Sequence, residues 1–337
     1  MKFPRALRLV AATLAVASAF PALAVDVTGA GATFPYAVYT KWAEAYKAAT
    51  GNTVNYQGIG SGGGIKQIQA GTVDFAGTDE PQSEAALDQH KLVQFPAVIG
   101  GATIVANVPG FKSGELKLDG DVIADIFRGS IKRWNDQRIA NMNSGVKLPD
   151  LGITVCHRSD GSGTTFVVTS YLSKQSVGFK QTVGAGKVVN WPAGNSVGGK
   201  GNPGVAANVQ KISGCIGYVD FADAKKNNLS FVALKNKDGK FVLPDQKGMA
   251  AAAANSNFKV KGMAPDMLDQ PGKDTWPIVS ATYVLAYQKG DAAKQKTVKD
   301  FYSWSLKNGQ KMAEDLGFVA LPASVVKLVE EEMKHVQ

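Results

Sequence analysis

The octapeptide Arg158-Ser159-Asp160-Gly161-Ser162-Gly163-Thr164-Thr165 joins an apolar, strand-like run, Leu151 to His157, to a helix-like run, Phe166 to Lys174. A strand that turns over glycines into a helix is the repeating unit of an α/β fold. Gly161 and Gly163 let the backbone bend sharply and come close to a ligand. Ser162, Gly163 and Thr164 open the helix, whose first N–H groups have no intrahelical partner and whose dipole favours an anion. Arg158 adds a planar, permanently charged fork suited to a tetrahedral oxyanion.

The same alternation runs outward in both directions. Strands are expected at Thr53–Gln57, Thr72–Phe75, Ile153–His157 and Cys215–Phe221. Helices are expected at Ile65–Ala70, Asp121–Trp134, Asn202–Ile212, Ala292–Asn308 and Ala323–His335. This pattern implies an α/β fold with mainly parallel sheets flanked by helices. Val93–Val108 reads as a long β stretch broken at Gly100-Gly101, and Trp276–Gln288 as a second. Stretches near 98–107 and 272–283 suit a two-strand hinge between lobes. The expected division is 25–101 with 276–337 in lobe 1, and 102–275 in lobe 2.

Two more glycine-rich turns resemble the first. Gly29-Ala30-Gly31-Ala32-Thr33-Phe34-Pro35 leads into a helix from about Tyr36, with Pro35 suited to its first turn. Thr33 offers a hydroxyl, and the N–H groups of Thr33 and Phe34 face any ligand at that turn; an ordinary helix cap is the plainer alternative. Gly58-Ile59-Gly60-Ser61-Gly62-Gly63-Gly64 costs more chain entropy than a plain turn requires. Its G-x-G-x-x-G spacing also fits a dinucleotide fingerprint, with Asp79 as the ribose acid. Gly194–Lys200 approaches a P-loop but has Gly201 where Ser or Thr is needed, so it reads as a loop. Ser162 as a catalytic nucleophile lacks the G-x-S-x-G elbow, because Asp160 stands at the first glycine position.

Asp79 is the odd group among anion-binding turns, since a carboxylate repels an anion. It makes sense if the guest carries a proton, as phosphate does near neutral pH and sulfate does not. A site built to hydrogen-bond one group rejects the analogue lacking it by roughly 10⁴–10⁵.

Composition narrows the setting. Lys2, Arg5 and Arg8, the apolar run Leu9–Phe20 and Ala22-Leu23-Ala24 read as a secretory leader, residues 1–24, cleaved after Ala24. The expected product is soluble and periplasmic. Losing those three basic residues lowers the formal net charge from +9 to +6, without dense basic clusters, which argues against a nucleic-acid partner. His90, His157 and His335 lack metal-ligand spacing, so no metal or other cofactor is expected. Cys156 and Cys215 each lie in a strand-like run. They form a disulfide if those strands are neighbours, or stay two small buried thiols.

With these residues in hand, the chain resembles the periplasmic phosphate-binding proteins of the bacterial high-affinity ABC phosphate transporter. The marks are Thr28-Gly-Ala-Gly-Ala-Thr-Phe-Pro35, Asn55-Tyr-Gln-Gly-Ile-Gly-Ser61, Asp74-Phe75 with Thr78-Asp79, and the Arg158–Thr164 turn. Gln94–Gly101, Gly198-Gly-Lys-Gly-Asn202 and Gly214-Cys-Ile-Gly-Tyr218 add to them. The resemblance implies a two-lobed type II periplasmic binding protein, monomeric as a binding unit and not an enzyme, that delivers phosphate to a transmembrane permease. Carried over by position, it implies Thr33, Phe34, Ser61 and Asp79 from one lobe as ligand groups. The other lobe would give Arg158, Ser162, Gly163 and Thr164, with Asp160 orienting Arg158. Departures are Gly62 where a serine is frequent, His157 where a basic residue is common, and the two cysteines where small apolar residues are usual. Two rival classes remain: an exported phosphate-ester hydrolase using Ser162, and a binder of sulfate or molybdate, against which Asp79 argues.

Overall fold

The computed structural model describes residues 24–337; the expected leader lies outside them except for Ala24. Eleven strands follow along the described chain: β1 (Asp26–Gly31), β2 (Thr53–Gly58), β3 (Phe75–Thr78), β4 (Leu92–Ala106), β5 (Lys117–Leu118), β6 (Thr154–Arg158), β7 (Ser196–Gly199), β8 (Cys215–Asp220), β9 (Ala233–Lys235), β10 (Phe241–Val242) and β11 (Val279–Tyr287). Eight of them form one sheet in the order β2-β1-β3-β11-β4-β8-β6-β7, and β10-β9-β5 form a small second sheet. β1 runs parallel to β2 and β3, and β6 runs parallel to β7 and β8. The joins through β4 and β11 are antiparallel. The result is the two-lobed type II periplasmic binding fold, each lobe a mixed sheet flanked by helices.

β4 explains how two lobes share one sheet. Its fifteen residues are all buried. Leu92–Gly101 pairs with β11, and Ala102–Ala106 pairs with β8. The return crossing lies beside it, with Ala102 N–H donating to Ile278 O at 3.0 Å and the Trp276 indole N–H to Ala102 O at 2.9 Å.

Gly100-Gly101 was expected to break this stretch, and β4 runs through it instead. The glycines serve packing: a Cβ on Gly100 would lie 2.7 Å from the Phe34 ring, and one on Gly101 2.6 Å from Met249 Cε. The helix expected over Asp121–Trp134 is also shorter. It spans Gly120–Phe127, capped by Asp119 and followed by Gly129 at φ +76°, a left-handed residue that turns the chain. Gly194–Lys200, expected as a loop, contains β7.

The stretch from Gln246 to Thr275 ties to both lobes. Gln246 Nε2 donates to Phe318 O, and Gln94 Nε2 donates to Gly262 O, both on the first-lobe side. Asn236 Nδ2 donates to the carbonyls of Gly272 and Thr275, and Lys174 pairs with Asp266, on the second-lobe side. The first lobe's core is aromatic: Tyr39, Trp42, Tyr46, Phe75, Phe95, Phe301 and Tyr302 interlock, mostly edge to face. Each such pair contributes about 0.5–1.5 kcal/mol beyond burial. No helix among the described residues is long and apolar enough to cross a membrane.

Candidate anion-binding site

Four strand-to-helix turns meet at the seam between the lobes. From the first lobe, β1 leads through Thr33 and Phe34 into the helix Tyr36–Thr50, and β2 leads through Gly60 into the helix Ser61–Gln69. From the second, β6 leads through Ser162 into the helix Gly163–Gln175, and β7 leads through Lys200 into the helix Gly201–Lys211. Asp79 follows the end of β3 directly. A helix start leaves N–H groups without intrahelical partners; at the fourth turn they are already used, Gly201 N–H donating to Asp160 Oδ1 and Asn202 N–H to Thr33 Oγ1.

The lobes touch there. Gly62 N–H donates to Gly161 O at 2.9 Å, Asn202 N–H donates to Thr33 Oγ1 at 3.2 Å, and Lys187 pairs with Glu80 at 2.7 Å. The glycines make this approach possible. A Cβ on Gly60 would stand 2.2 Å from Asp160 Oδ2, and one on Gly163 would stand 2.5 Å from Ser61 Oγ and 2.6 Å from Asp79 Oδ2. Gly62–Gly64 are in the first helical turn, not in a loop as expected. Against the dinucleotide reading, this turn is pressed on Asp160 and Gly161 of the other lobe.

The hydroxyls share one pattern. Thr33 Oγ1 accepts from Asn202 N–H, Ser61 Oγ from Asp79 N–H, Ser162 Oγ from Thr165 N–H, and Thr164 Oγ1 from Asn202 Nδ2. A hydroxyl whose oxygen accepts an internal N–H still has its own proton to donate. Four hydroxyls thus each keep a proton to donate. Ser61, Ser162 and Thr164 are fully buried, and Thr33 is half-buried.

Arg158 is buried and partly engaged. Its Nε and Nη2 donate to the two oxygens of Asp160 at 2.8 and 2.6 Å, and its Nη1 donates to Asn202 Oδ1 at 2.9 Å. Three of its five N–H donors are used, leaving one on each terminal nitrogen, the forked pair that a tetrahedral oxyanion takes end-on. Asp160 also accepts from Gly201 N–H at 3.0 Å. Burial alone would raise the Asp160 carboxyl, but the hydrogen bonds and charge of Arg158 hold it below the ordinary range.

Asp79 has a different setting. It is buried, and Thr282 Oγ1 donates to its Oδ1 at 2.7 Å. Burial pushes its carboxyl from 3.8 up to about 7, against the Thr282 hydrogen bond and the Arg158 charge. A group poised there can accept a proton-bearing guest's hydrogen bond.

Sequence reasoning missed Asn202 and Thr282. Asn202 carried a signal, since its turn repeats the strand–glycine–helix punctuation of the other three. Thr282 lies 203 residues from Asp79 in a plain strand and carried none. His157 Nδ1 lies 2.9 Å from Arg158 O, so that nitrogen is not turned to Ser162 as a base. No group of three or more potential metal ligands occurs among the described residues.

Comparisons with known proteins agree with this architecture. Residues 17–308 match the PBP superfamily domain. The phosphate-binding protein PstS of Pasteurella multocida (strain Pm70) is 49% identical over 313 residues, 92% of this chain and 90% of that protein. Its namesake in Haemophilus influenzae (strain ATCC 51907 / DSM 11121 / KW20 / Rd) is 47% identical over 315 residues, 93% of this chain and 94% of that protein. A solved high-affinity periplasmic phosphate-binding protein, bound with phosphate, shares the fold with a TM-score of 0.75 at 22% identity. That match covers 91% of this chain and 93% of the other.

Proposed function

The chain belongs to the phosphate-binding proteins of the PBP superfamily, and on that premise we propose that it holds inorganic phosphate between its lobes and delivers it to an inner-membrane ABC permease for high-affinity uptake. The observation that carries this reading is the buried seam itself. The reading is supported by helix starts from both lobes, four hydroxyls that each keep a proton to donate, a guanidinium with two donors left over and a carboxyl poised near neutrality along that seam.

The N–H groups of Phe34, Gly163 and Thr164, the hydroxyls of Thr33, Ser61, Ser162 and Thr164, and the fork of Arg158 donate to phosphate oxygens. Asp79 accepts the phosphate O–H. Asp160 keeps the guanidinium in plane. Each charge-assisted hydrogen bond contributes about 1.5–3 kcal/mol net. A micromolar site needs about 8 kcal/mol, so several suffice after the costs of closure. The first lobe comprises 25–101 and 276–337 and the second 102–275, with the 246–275 stretch strapping them. Export to the periplasm follows removal of residues 1–24. The protein acts as a monomer, without nucleic acid, by binding and not by turnover.

Calorimetric titration of the purified protein tests the reading. Phosphate should bind with micromolar or tighter affinity and sulfate should give no saturable heat. Equal affinity for both anions, or no heat with phosphate, would overturn it.

A further inference from the structure

Asn202 is fully buried in the first turn of the helix Gly201–Lys211. Its amide faces two ways. Oδ1 accepts from Arg158 Nη1 at 2.9 Å, while Nδ2 donates to Asp220 Oδ2 at 2.7 Å and reaches Thr164 Oγ1 at 3.4 Å. Its backbone N–H donates across the seam to Thr33 Oγ1 at 3.2 Å. Only a side chain with both an acceptor and a donor at this length satisfies the set; an aspartate would turn a second carboxylate on Asp220. The guanidinium of Arg158 only donates, so it takes the oxygen end of the amide and leaves the nitrogen for Asp220.

We infer that Asn202 is a positioning residue for phosphate capture: it holds the guanidinium of Arg158 from the side opposite Asp160 and joins that arginine to Thr33 of the other lobe. Asp160 alone grips Nε and Nη2 and leaves Nη1 unguided. With Asn202 on Nη1, the remaining two donors point one way. The residue touches no ligand in this scheme and acts through groups that do.

This inference rests on the phosphate reading, and the two are separable by titrating wild-type protein alongside the variants. A wild type that ignores phosphate removes the reading itself. Given wild-type binding, Asn202→Ala should weaken phosphate about tenfold or more. Repeated on an Arg158→Lys background, where the fork is gone, the same step should shrink to about twofold, because the loss runs through the guanidinium. Equal losses on both backgrounds would mark Asn202 as merely structural, and an unchanged affinity in the single variant would remove it from the site; either result overturns the inference. Should circular dichroism show Asn202→Ala unfolded, Asn202→Ser takes its place in the same cycle with the same expectation, since serine cannot span both partners.

Discussion

Each lobe brings a carboxylate to the same seam, and the two behave in opposite ways. Asp160 of the second lobe is clamped on Arg158 and by the Gly201 N–H, and these overcome burial to hold its carboxyl low. Asp79 of the first lobe has only Thr282 as a direct donor, and burial carries it up to about 7. Identical side chains thus do different work. The second lobe supplies a positive charge that is already balanced, so attraction there depends on how the fork is aimed. The first lobe keeps an unbalanced acid, whose empty acceptor can read whether the guest carries hydrogen.

Removing the clamped side should have the larger effect. Arg158→Ala deletes two donors to the ligand and leaves the half-buried Asp160 with only the Gly201 N–H as a donor. Phosphate affinity should fall on the order of 10³-fold in calorimetry. A loss below about tenfold would mean the second lobe's charge is not what holds the ligand.

Asp79→Asn sharpens the other half of the contrast. The amide keeps an acceptor for Thr282 but adds a donor, so a fully ionised anion no longer meets a carboxylate. The ratio of phosphate to sulfate affinity should shrink by about tenfold or more, mostly through better sulfate binding. In the wild type the same gap should narrow as pH falls through about 7, where Asp79 takes up a proton and can itself donate. Sulfate titrations on both sides of that pH decide it; a flat profile would separate Asp79 from selectivity.

The same acid should also lower the stability of the phosphate-free protein. In the fold Asp79 stays protonated to about 7, whereas in the unfolded chain it ionises near its ordinary 3.8. Between those pH values the unfolded state binds fewer protons, so native stability drops as pH rises through the window and levels off above it. Asp79→Asn should therefore melt higher than wild type in phosphate-free buffer at pH 8, by on the order of a few degrees. The advantage should fade toward pH 4. Parallel melting curves across that range would expose a different origin.

Much of the candidate site stands out in the sequence alone, for physical reasons. Glycine, serine and arginine at a strand-to-helix turn suit an anion, so Ser61, Arg158 and Ser162 stand out locally as candidates. What was not readable depends on approach between distant parts. Gly100 and Gly101 look like strand breakers, yet they make room for Phe34 and Met249 while β4 continues. Gly62 and Gly64 look like loop, yet they lie in a helix pressed on Gly161 and on Ala30. Thr282 meets Asp79 only because β11 pairs with β3. The helix beyond Phe127 failed because Gly129 sits in the left-handed region, where a helix ends.

The smallest expected effect on the seam comes from the cysteines just behind it. Cys156 and Cys215 are bonded across β6 and β8, with Cα atoms 6.2 Å apart and a sequence separation of 59. β6 ends at Arg158, and β8 carries Tyr218, whose hydroxyl accepts from Arg158 N–H at 3.2 Å, so the cross-link lies within reach of the binding groups. A bridge closing a loop of that length stabilises by about 4 kcal/mol in the chain-entropy view, mainly through the unfolded chain. The folded geometry has another support. The parallel ladder between β6 and β8 and the hydrogen bond between Thr165 and Tyr218 at 2.7 Å hold the strand end independently. Replacing both cysteines by serine should therefore lower the melting temperature while leaving phosphate affinity within about threefold. Thiol titration of unfolded, unreduced wild type should find no free thiol. Two free thiols would remove the bond from the account. A large loss of affinity in the double variant would instead show that the cross-link, and not the ladder, aims Arg158.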